Sequence, residues 1–452
     1  MISFDTIRDV VIANKTVLVR CDLNVPFSFT IPKNSDGGGN YVNVATSESN
    51  TLNNKTQPVI DIEYTEVTKE GGEIKNSYNN LNCGEFKILD YSRIQSCTQT
   101  IKYLVAGGAK VILCSHLGRP KDNQNTLENS LQHLVRPLQL ILGTTVYFAS
   151  DCISPQIPQL IKQMQYGEVL LLENLRFHKE EEQNDEQFAR LLTRDINIYV
   201  NEAFSCSHRK HTSIYAAAQL VRPVAGLNLA QEVSHLQKIT HNLGGNIMSI
   251  IGGKKVDTKI DILKKLAAIS KYLVLGGGMA NTFLLHNGIN IGASFAEAGV
   301  KEIVYEIAQI AKTNNCEIIL PIDFITSDKQ QVGEIEQQQI ICDIGEKTIN
   351  LIKQKMQQCN TVICNGPLGI YEQGFSCGTG SIINEIADLT LQGSITSIAG
   401  GGDIIACINA SGRINDLSFV SNAGGAFLEF ISTDGHLPGI DILVSRSLQF
   451  QK

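Results

Sequence analysis

Short apolar runs recur along this chain. Each ends in a polar or glycine-rich cluster, and a stretch with helical spacing then follows. In KTVLVRCDLNVP (15–26), Val17, Leu18 and Val19 lead to Asp22, Asn24 and a breaking Pro26. AKVILCS runs into His116-Leu117-Gly118-Arg119-Pro120, Glu168–Leu172 into ENLRFHKEEEQND, and Ile196–Val200 into NEAFSCSHRKHTS. Between them, Ile94, Cys97, Ile101, Leu104 and Val105 keep one helical face, with Arg93 in its first turn, and LENSLQHLVRPLQLIL keeps another. Arg222-Pro223 breaks the series, and Asn228–Ile239 predicts a helix bridging to a second set of strands. There, Lys271–Leu275 leads to GGGM, Cys316–Leu320 to PIDF, Thr361–Cys364 to NGPLG and Ser394–Ala399 to GGGD. Buried strands alternating with helices predict parallel α/β sheets, whose ligands bind beyond the carboxyl ends of the strands.

The stretch MSIIGGKKVDTKIDILKKL (248–266) shows the pattern most fully. Met248, Ile250 and Ile251 predict a strand, Gly252-Gly253 a turn, and Val256, Ile260, Leu263 and Leu266 a helix. Glycines let the backbone approach a ligand, and the free N–H groups of a helix start then face it. Lys255 and Lys259, four apart in the first helical turns, oppose the positive end of the helix dipole. Two cations in that place suit a transferring phosphoryl group, although an ordinary βα turn with solvated lysines has the same pattern. The spacing is not that of a P-loop.

One region breaks the alternation. From about 28 to 86 the chain is rich in Asn, Ser, Thr and Gly, which predicts an inserted, largely disordered loop. PVIDIEYTEVT (58–68) allows a hairpin within it.

Composition narrows the class. The 452 residues are 43% hydrophobic and 18% charged, as in an ordinary globular protein of two or three domains. A net charge of −7 disfavours general nucleic-acid binding. Twelve cysteines without a CxxC pair, most in apolar runs, predict reduced core thiols. No charged segment precedes an apolar core at the start and no apolar run reaches spanning length, so a cytoplasmic protein without membrane contact is expected.

Polar clusters fall at several strand ends, Asp22 and Asn24, His116 and Arg119, Arg176, and His208 with Arg209, most of them delivering Arg or His to one face. Arginine's fork matches carboxylate and phosphate, so Arg93, Arg119, Arg176 and Arg209 together suit a small acid with several negative groups. Lys179–Glu182 (KEEE) predicts a solvated helix start. In the second half, two glycine triplets and Asn365-Gly366-Pro367 predict a flat surface on which a nucleotide could lie. Asp403, after Gly400–Gly402, suits either Mg²⁺ carried by nucleotide phosphates or a helix N-cap.

These motifs together resemble the phosphoglycerate kinases. VRCDLNVP, SHLGRP, LLENLRFHKEEEQND, NEAFSCSHRKHTS, GGKKVDTK, LGGGMANTFL, LPIDF, NGPLGIYE, GGGD and SNAGGAFLE stand in the family's order, outside the 28–86 insertion. The resemblance implies two doubly wound parallel-sheet (Rossmann-like) domains separated by a hinge and cleft. Residues 1–222 would bind 3-phosphoglycerate and 223–436 MgADP or MgATP, with the 437–452 tail packing back on the first domain. It implies a monomer that moves a phosphoryl group between 1,3-bisphosphoglycerate and ADP by in-line transfer after closure.

By the same resemblance, Asp22, Asn24, Arg93, His116, Arg119, Arg176 and Arg209 would hold the acid. Arg93, Lys255 and Lys259 would serve the transfer, the lysines also meeting nucleotide phosphates. Gly276 and Gly277 would line the adenine site, and Asn365, Pro367 and Glu372 would hold phosphate, base edge and ribose. Gly401, Gly402 and Asp403 would complete the nucleotide site, with Asp403 on Mg²⁺.

The chain departs from the family at Thr258 (usually Asp), Ile404 (Thr), Asn422-Ala423 (Thr-Gly), Gly380 (Lys), Ser205-Cys206 (Gly-Thr) and Cys364 (Trp). Ile404, Asn422 and Ala423 are expected to weaken phosphate stabilisation by about 1–3 kcal/mol, through a lost hydroxyl or an Ala at positive φ. A kinase-derived binding protein with poor turnover is the alternative.

Overall fold

The computed structural model describes residues 2–32, 41–46, 85–120, 125–241, 245–421 and 423–450. By internal contacts these fall into two compact units, Val25–Ser92 and the rest of the chain.

After β1 (Thr16–Arg20), the chain enters the smaller unit. Its strands β2 (Phe27–Pro32), β3 (Tyr41–Thr46) and β4 (Glu85–Ile88) pair antiparallel in the order β3-β2-β4. The ends of the insertion are therefore sheet, where the composition predicted loop. The cause is a period-two pattern inside the polar background. Phe27 and Phe29 alternate with Ser28 and Thr30, Phe27 and Phe29 are buried, and the Phe27 and Phe86 rings stack at 4.8 Å. The possible hairpin at 58–68 lies outside the described residues.

The larger unit carries two parallel sheets. β5 (Lys110–Cys114), β6 (Val146–Ala149), β7 (Val169–Leu172), β8 (Ile198–Asn201) and β9 (Arg222–Ala225) join β1 in the order β6-β7-β5-β1-β8-β9. β10 (Ile247–Ile251), β11 (Tyr272–Leu275) and β12 (Glu317–Ile319) begin the second sheet. A small antiparallel sheet of β13 (Phe324–Thr326), β14 (Gln331–Val332) and β15 (Ile341–Ile344) intervenes. β16 (Thr361–Asn365), β17 (Thr396–Gly400) and β18 (Phe419–Ser421) then complete the order β12-β11-β10-β16-β17-β18. The strands are apolar on both faces because helices cover both, as parallel crossovers require.

In each sheet the strand order reverses once. The first reverses between β1 and β8, which pair with Arg20 opposite Asn201; the second between β10 and β16, with Ile251 opposite Asn365. Connections leave these neighbours in opposite directions and open a crevice beyond their carboxyl ends. The helix Leu227–His241 links the sheets, and Glu202, just after β8, accepts the N–H groups of Asn228 and Leu229 at its start. The last helix, Pro438–Phe450, lies against β9, with Gly439 N–H on the Ser207 carbonyl at 2.8 Å. No helix among the described residues is long and apolar enough to cross a membrane.

Candidate active site

The first crevice gathers most of the predicted acid-binding residues. Asp22 follows β1; Arg93, in the first turn of the helix Ser92–Ala106, ion-pairs with it, and Ser205, just after β8, donates its hydroxyl to the same carboxylate. The Asn24 side chain accepts the Gly118 N–H at 2.7 Å, and Arg176 donates to the Gly118 carbonyl at 2.6 Å. Gly118 sits at φ 65°, and a Cβ there would lie 2.0 Å from the Asn129 side chain, so this hub of the site must be glycine. Asn174 accepts the Arg176 N–H and ties itself to the Leu117 carbonyl, which locks the SHLGRP and ENLRFH loops together.

His116 is buried between these loops. Burial, then Arg176, Arg20, Arg93 and Arg209, hold its imidazole well below the ordinary range. The ring is neutral at neutral pH, and Arg176, Arg20, Arg93 and Arg209 all act on it as nearby positive charges. Arg209 donates to His208 at 3.2 Å. Arg119 is exposed at the rim of the same loop and is not among the charges that dominate at His116.

Two residues beneath this site escaped sequence reasoning. Arg20, the last residue of β1, is fully buried, reaches His116 Nδ1 at 3.2 Å and donates to Ser213 Oγ at 2.8 Å. Ser213 in turn donates to Glu181 at 2.6 Å through its hydroxyl and at 2.9 Å through its N–H. Glu181 therefore belongs to a buried charge relay under His116, with 1% of its surface exposed, and KEEE is not a wholly solvated helix start. The apolar strand ending in Arg was the available signal for Arg20; a run of like acids gives none for Glu181.

The second crevice is built from backbone at close quarters. The turn after β10 passes so near the NGP loop after β16 that a Cβ on Gly252 would lie 1.9 Å from the Pro367 carbonyl oxygen. Gly276 caps the helix Gly277–His286, whose Met279 N–H reaches the Gly253 carbonyl at 3.1 Å. Lys259 donates to the Gly252 carbonyl at 3.0 Å and to the Asn365 side chain at 2.8 Å, and Asn365 also donates to the Gly400 carbonyl. Burial lowers the Lys259 ammonium to about 8, opposed by Asp403.

The α-helix here begins at Ile260, later than the apolar spacing predicted. Lys255 lies in the extended link before a 3₁₀ turn, Asp257–Lys259, so the two lysines do not share a helical face. Lys255 is exposed, and Glu297 accepts the N–H groups of Val256 and Asp257 and so fixes its loop. Phe295 lies under the Lys254 ammonium and against Gly278, giving this surface an aromatic wall. Glu297 and Phe295 were not read from the sequence, because nothing in FAEAGV distinguishes them from a turn.

Asp403 occupies the first turn of the helix Gly402–Ser411, and Gly401 takes the N-cap position with φ 115°. The carboxylate therefore does not cap. Burial and Glu372 raise its pKa, and Lys259 opposes them. Glu372 is exposed on the 3₁₀ turn Tyr371–Gln373, after Pro367. A small, half-open pocket beside the first crevice is lined by Asp22, Arg93, Glu232 and Ala423.

Comparison with known proteins gives this geometry a family. Residues 77–434 match the model of phosphoglycerate kinase. The chain belongs to the phosphoglycerate kinase family. A curated phosphoglycerate kinase of Wolbachia pipientis wMel is 38% identical over 415 residues, 90% of this chain and 100% of that protein. One from Brucella melitensis is 38% identical over 374 residues, 80% of this chain and 94% of its own. Among solved structures, phosphoglycerate kinase from Coxiella burnetii superposes with a TM-score of 0.72 at 28% identity, covering 99% of this chain and 100% of that one. The fold is shared with the Pyrococcus horikoshii enzyme, at TM-score 0.71 and 24% identity over 98% of this chain and 99% of that one.

As a phosphoglycerate kinase the chain is divergent, and several of its departures are buried side chains that pack with their neighbours. Ile404 is 1% exposed, in an apolar cluster with Ile383 and Ile408. Ala423 sits at φ −105°, ψ 49°, so it carries none of the positive-φ strain expected of it. Cys364 is buried in the same cluster as Ile404, and a side chain at Gly380 would meet open space. Ser205 adds a donor to Asp22, and the Cys206 sulfur accepts from Arg20 at 3.7 Å. Asn422 and the Thr258 side chain lie outside the described residues.

Proposed function

We propose that this phosphoglycerate kinase moves a phosphoryl group reversibly between 1,3-bisphosphoglycerate and ADP, giving 3-phosphoglycerate and ATP. The observation that carries this reading is the pair of cationic crevices at the two strand-order reversals, one lined by Arg and His, the other by Lys and close-packed glycine turns. The first suits a small acid with two anionic ends; the second suits a polyphosphate on a flat, partly aromatic surface.

In this reading Asn24, His116, Arg119, Arg176 and Arg209 bind the acid, and Asp22 orients Arg93 toward charge that grows during transfer. Neutral His116 contributes a hydrogen bond without adding to the charge. Lys255 meets the transferring group and Lys259 the nucleotide phosphates. The loops carrying Gly276, Gly277, Asn365, Pro367 and Glu372 receive base and ribose, and the start of the helix Gly402–Ser411, behind the Gly401-Gly402 turn, receives phosphate. Asp403 is a hard oxygen donor beside a second carboxylate, Glu372, so a dication relieves their repulsion. Bound with the nucleotide, Mg²⁺ would neutralise phosphate charge there. No side chain need form a covalent intermediate, because positioning and charge neutralisation suffice. The part of the chain up to about 222, together with the rest of β9 (Arg222–Ala225) that completes the first sheet, acts as the acid domain and the part up to 436 as the nucleotide domain, and bending at the helix Leu227–His241 brings them together.

A coupled assay with 3-phosphoglycerate and MgATP tests this. Turnover that requires both is expected. A folded protein that binds nucleotide but does not turn over would leave only the binding-protein alternative.

A further inference from the structure

Away from both crevices, Asp151, Cys152 and His178 converge at the carboxyl edge of the first sheet. Asp151 and Cys152 follow β6, and His178 follows the turn carrying Arg176. One donor atom from each of the three lies within 4.8 Å of those of the other two. His178 Nε2 already approaches Asp151 Oδ1 at 2.9 Å, and the Phe188 ring, 5.3 Å away, borders the imidazole. Cys152 is buried, whereas the side chains of His178 and Asp151 are 28% and 36% exposed, so solvent can supply a fourth ligand.

We propose that Asp151, Cys152 and His178 bind one divalent transition-metal ion of the zinc class, with water as the remaining ligand. One thiolate, one imidazole and one carboxylate form the mixed donor set that Zn²⁺ accepts in tetrahedral geometry, and hard cations such as Mg²⁺ do not favour it. On binding, the Cys152 thiol loses its proton to solvent and a metal–sulfur bond forms; the proton that His178 Nε2 shares with Asp151 moves to Nδ1 by exchange with solvent, and that hydrogen bond gives way to two metal–ligand bonds.

The surrounding charge agrees. The ionisable groups acting on Cys152 are Asp151, Glu181 and the thiol Cys114; those acting on Asp151 include His178, and Asp151 itself acts on Glu173. No arginine or lysine is among the charges that act most on Cys152, in contrast to the first crevice. A second triad, Asp22, His116 and Cys206, is equally compact, but Arg20 and Arg93 already bond its members and Arg176 and Arg209 add like charge, so it repels one.

Cobalt(II) added to the full-length protein tests the site, because thiolate ligation gives a charge-transfer band in the near ultraviolet. One equivalent should produce the band, and Zn²⁺ should abolish it. C206S/C377S should keep it, removing the arginine-lined thiol and the exposed one. C152S should lose it. Since Cys152 is buried and its variant could misfold, H178Q is the second arm; it should remain folded by circular dichroism and bind cobalt at least about 100-fold more weakly. No band in the folded wild type, a band that survives H178Q, or one lost in C206S/C377S would each overturn the site.

Discussion

Lys259 has the environment most exposed to pH. Its ammonium is held by two oxygens yet lowered to about 8 by burial. In the free enzyme its charge should fade above about pH 8, whereas nucleotide phosphates should restore it. We therefore expect kcat/KM for the nucleotide to fall above about pH 8 while kcat holds to higher pH, since the two report the free enzyme and the complex. K259M should abolish the alkaline limb together with most of the activity; an unchanged limb in residual K259M activity would assign it to another group. The linkage runs the same way. Between about 8 and 10.5 the unfolded chain binds the extra proton, so this residue makes stability rise with pH across that window.

Ile404 is the second test at this scale. Its side chain packs in the apolar cluster, so I404T puts a hydroxyl where packing leaves it without a designed partner. A loss of about 1–3 kcal/mol in stability and no gain in turnover are expected. Thermal melts and steady-state kinetics decide it, and faster turnover in a protein of wild-type stability would show that Ile404 limits catalysis.

At the scale of elements, the end of β1 carries both the visible and the hidden parts of the proposed acid site. Asp22 and Asn24 were legible because polar residues directly after an apolar run point beyond the sheet; His116 follows the same rule, and Arg176 and Arg209 lie in the polar loops that follow β7 and β8. Arg20, Glu181 and Ser213 were not, since their meaning lies in a buried contact between segments far apart in sequence. R20M should leave Ser213 and Glu181 buried without the larger of the two arginine charges acting on Glu181 and should destabilise the fold, as thermal melts can show. Because Arg20 is one of the charges that depress His116, that imidazole should titrate higher in the variant, which NMR can follow. An unmoved His116 would mean that Arg20 supports the fold and does not tune the ring.

Glu202 plays a comparable part between elements, holding the start of the helix Leu227–His241. Burial raises it to about 7, and its neighbour Glu232 rises to about 8 with one oxygen unpartnered. A carboxyl whose folded pKa exceeds its unfolded value contributes most stability below about 4.5 and loses it as pH rises through the folded value. The wild type should therefore lose more stability than E202Q between pH 4.5 and 7, by at most about 3 kcal/mol. Parallel denaturation curves across that range would remove Glu202 from the account.

At the scale of the whole molecule, alternating strands and helices announced both parallel sheets, because a strand buried on two faces must be apolar throughout. What composition hid was the smaller unit. Residues 28–86 read as loop because a few alternating aromatics are outvoted by Asn, Ser and Gly, yet Phe86 of β4 pairs in register with Phe29 of β2 and stacks on Phe27. The same pairing shows how to remove the insertion. Leu89 donates its N–H to the Pro26 carbonyl at 2.9 Å, and Phe27 stands opposite Ile88, so the ends to be rejoined are already neighbours. Replacing residues 27–88 with a turn of about four Gly and Ser residues should close without strain. Loop-closure entropy favours the shorter link by about 0.6 kcal/mol per halving of length, which offsets the loss of the small sheet's own contacts. We expect a melting temperature that is unchanged or slightly higher, and kcat within about twofold of the full chain, since every proposed site residue lies outside 27–88. If kcat collapses while the melting temperature holds, the insertion completes the acid site; if both collapse, the small sheet is part of the folding core.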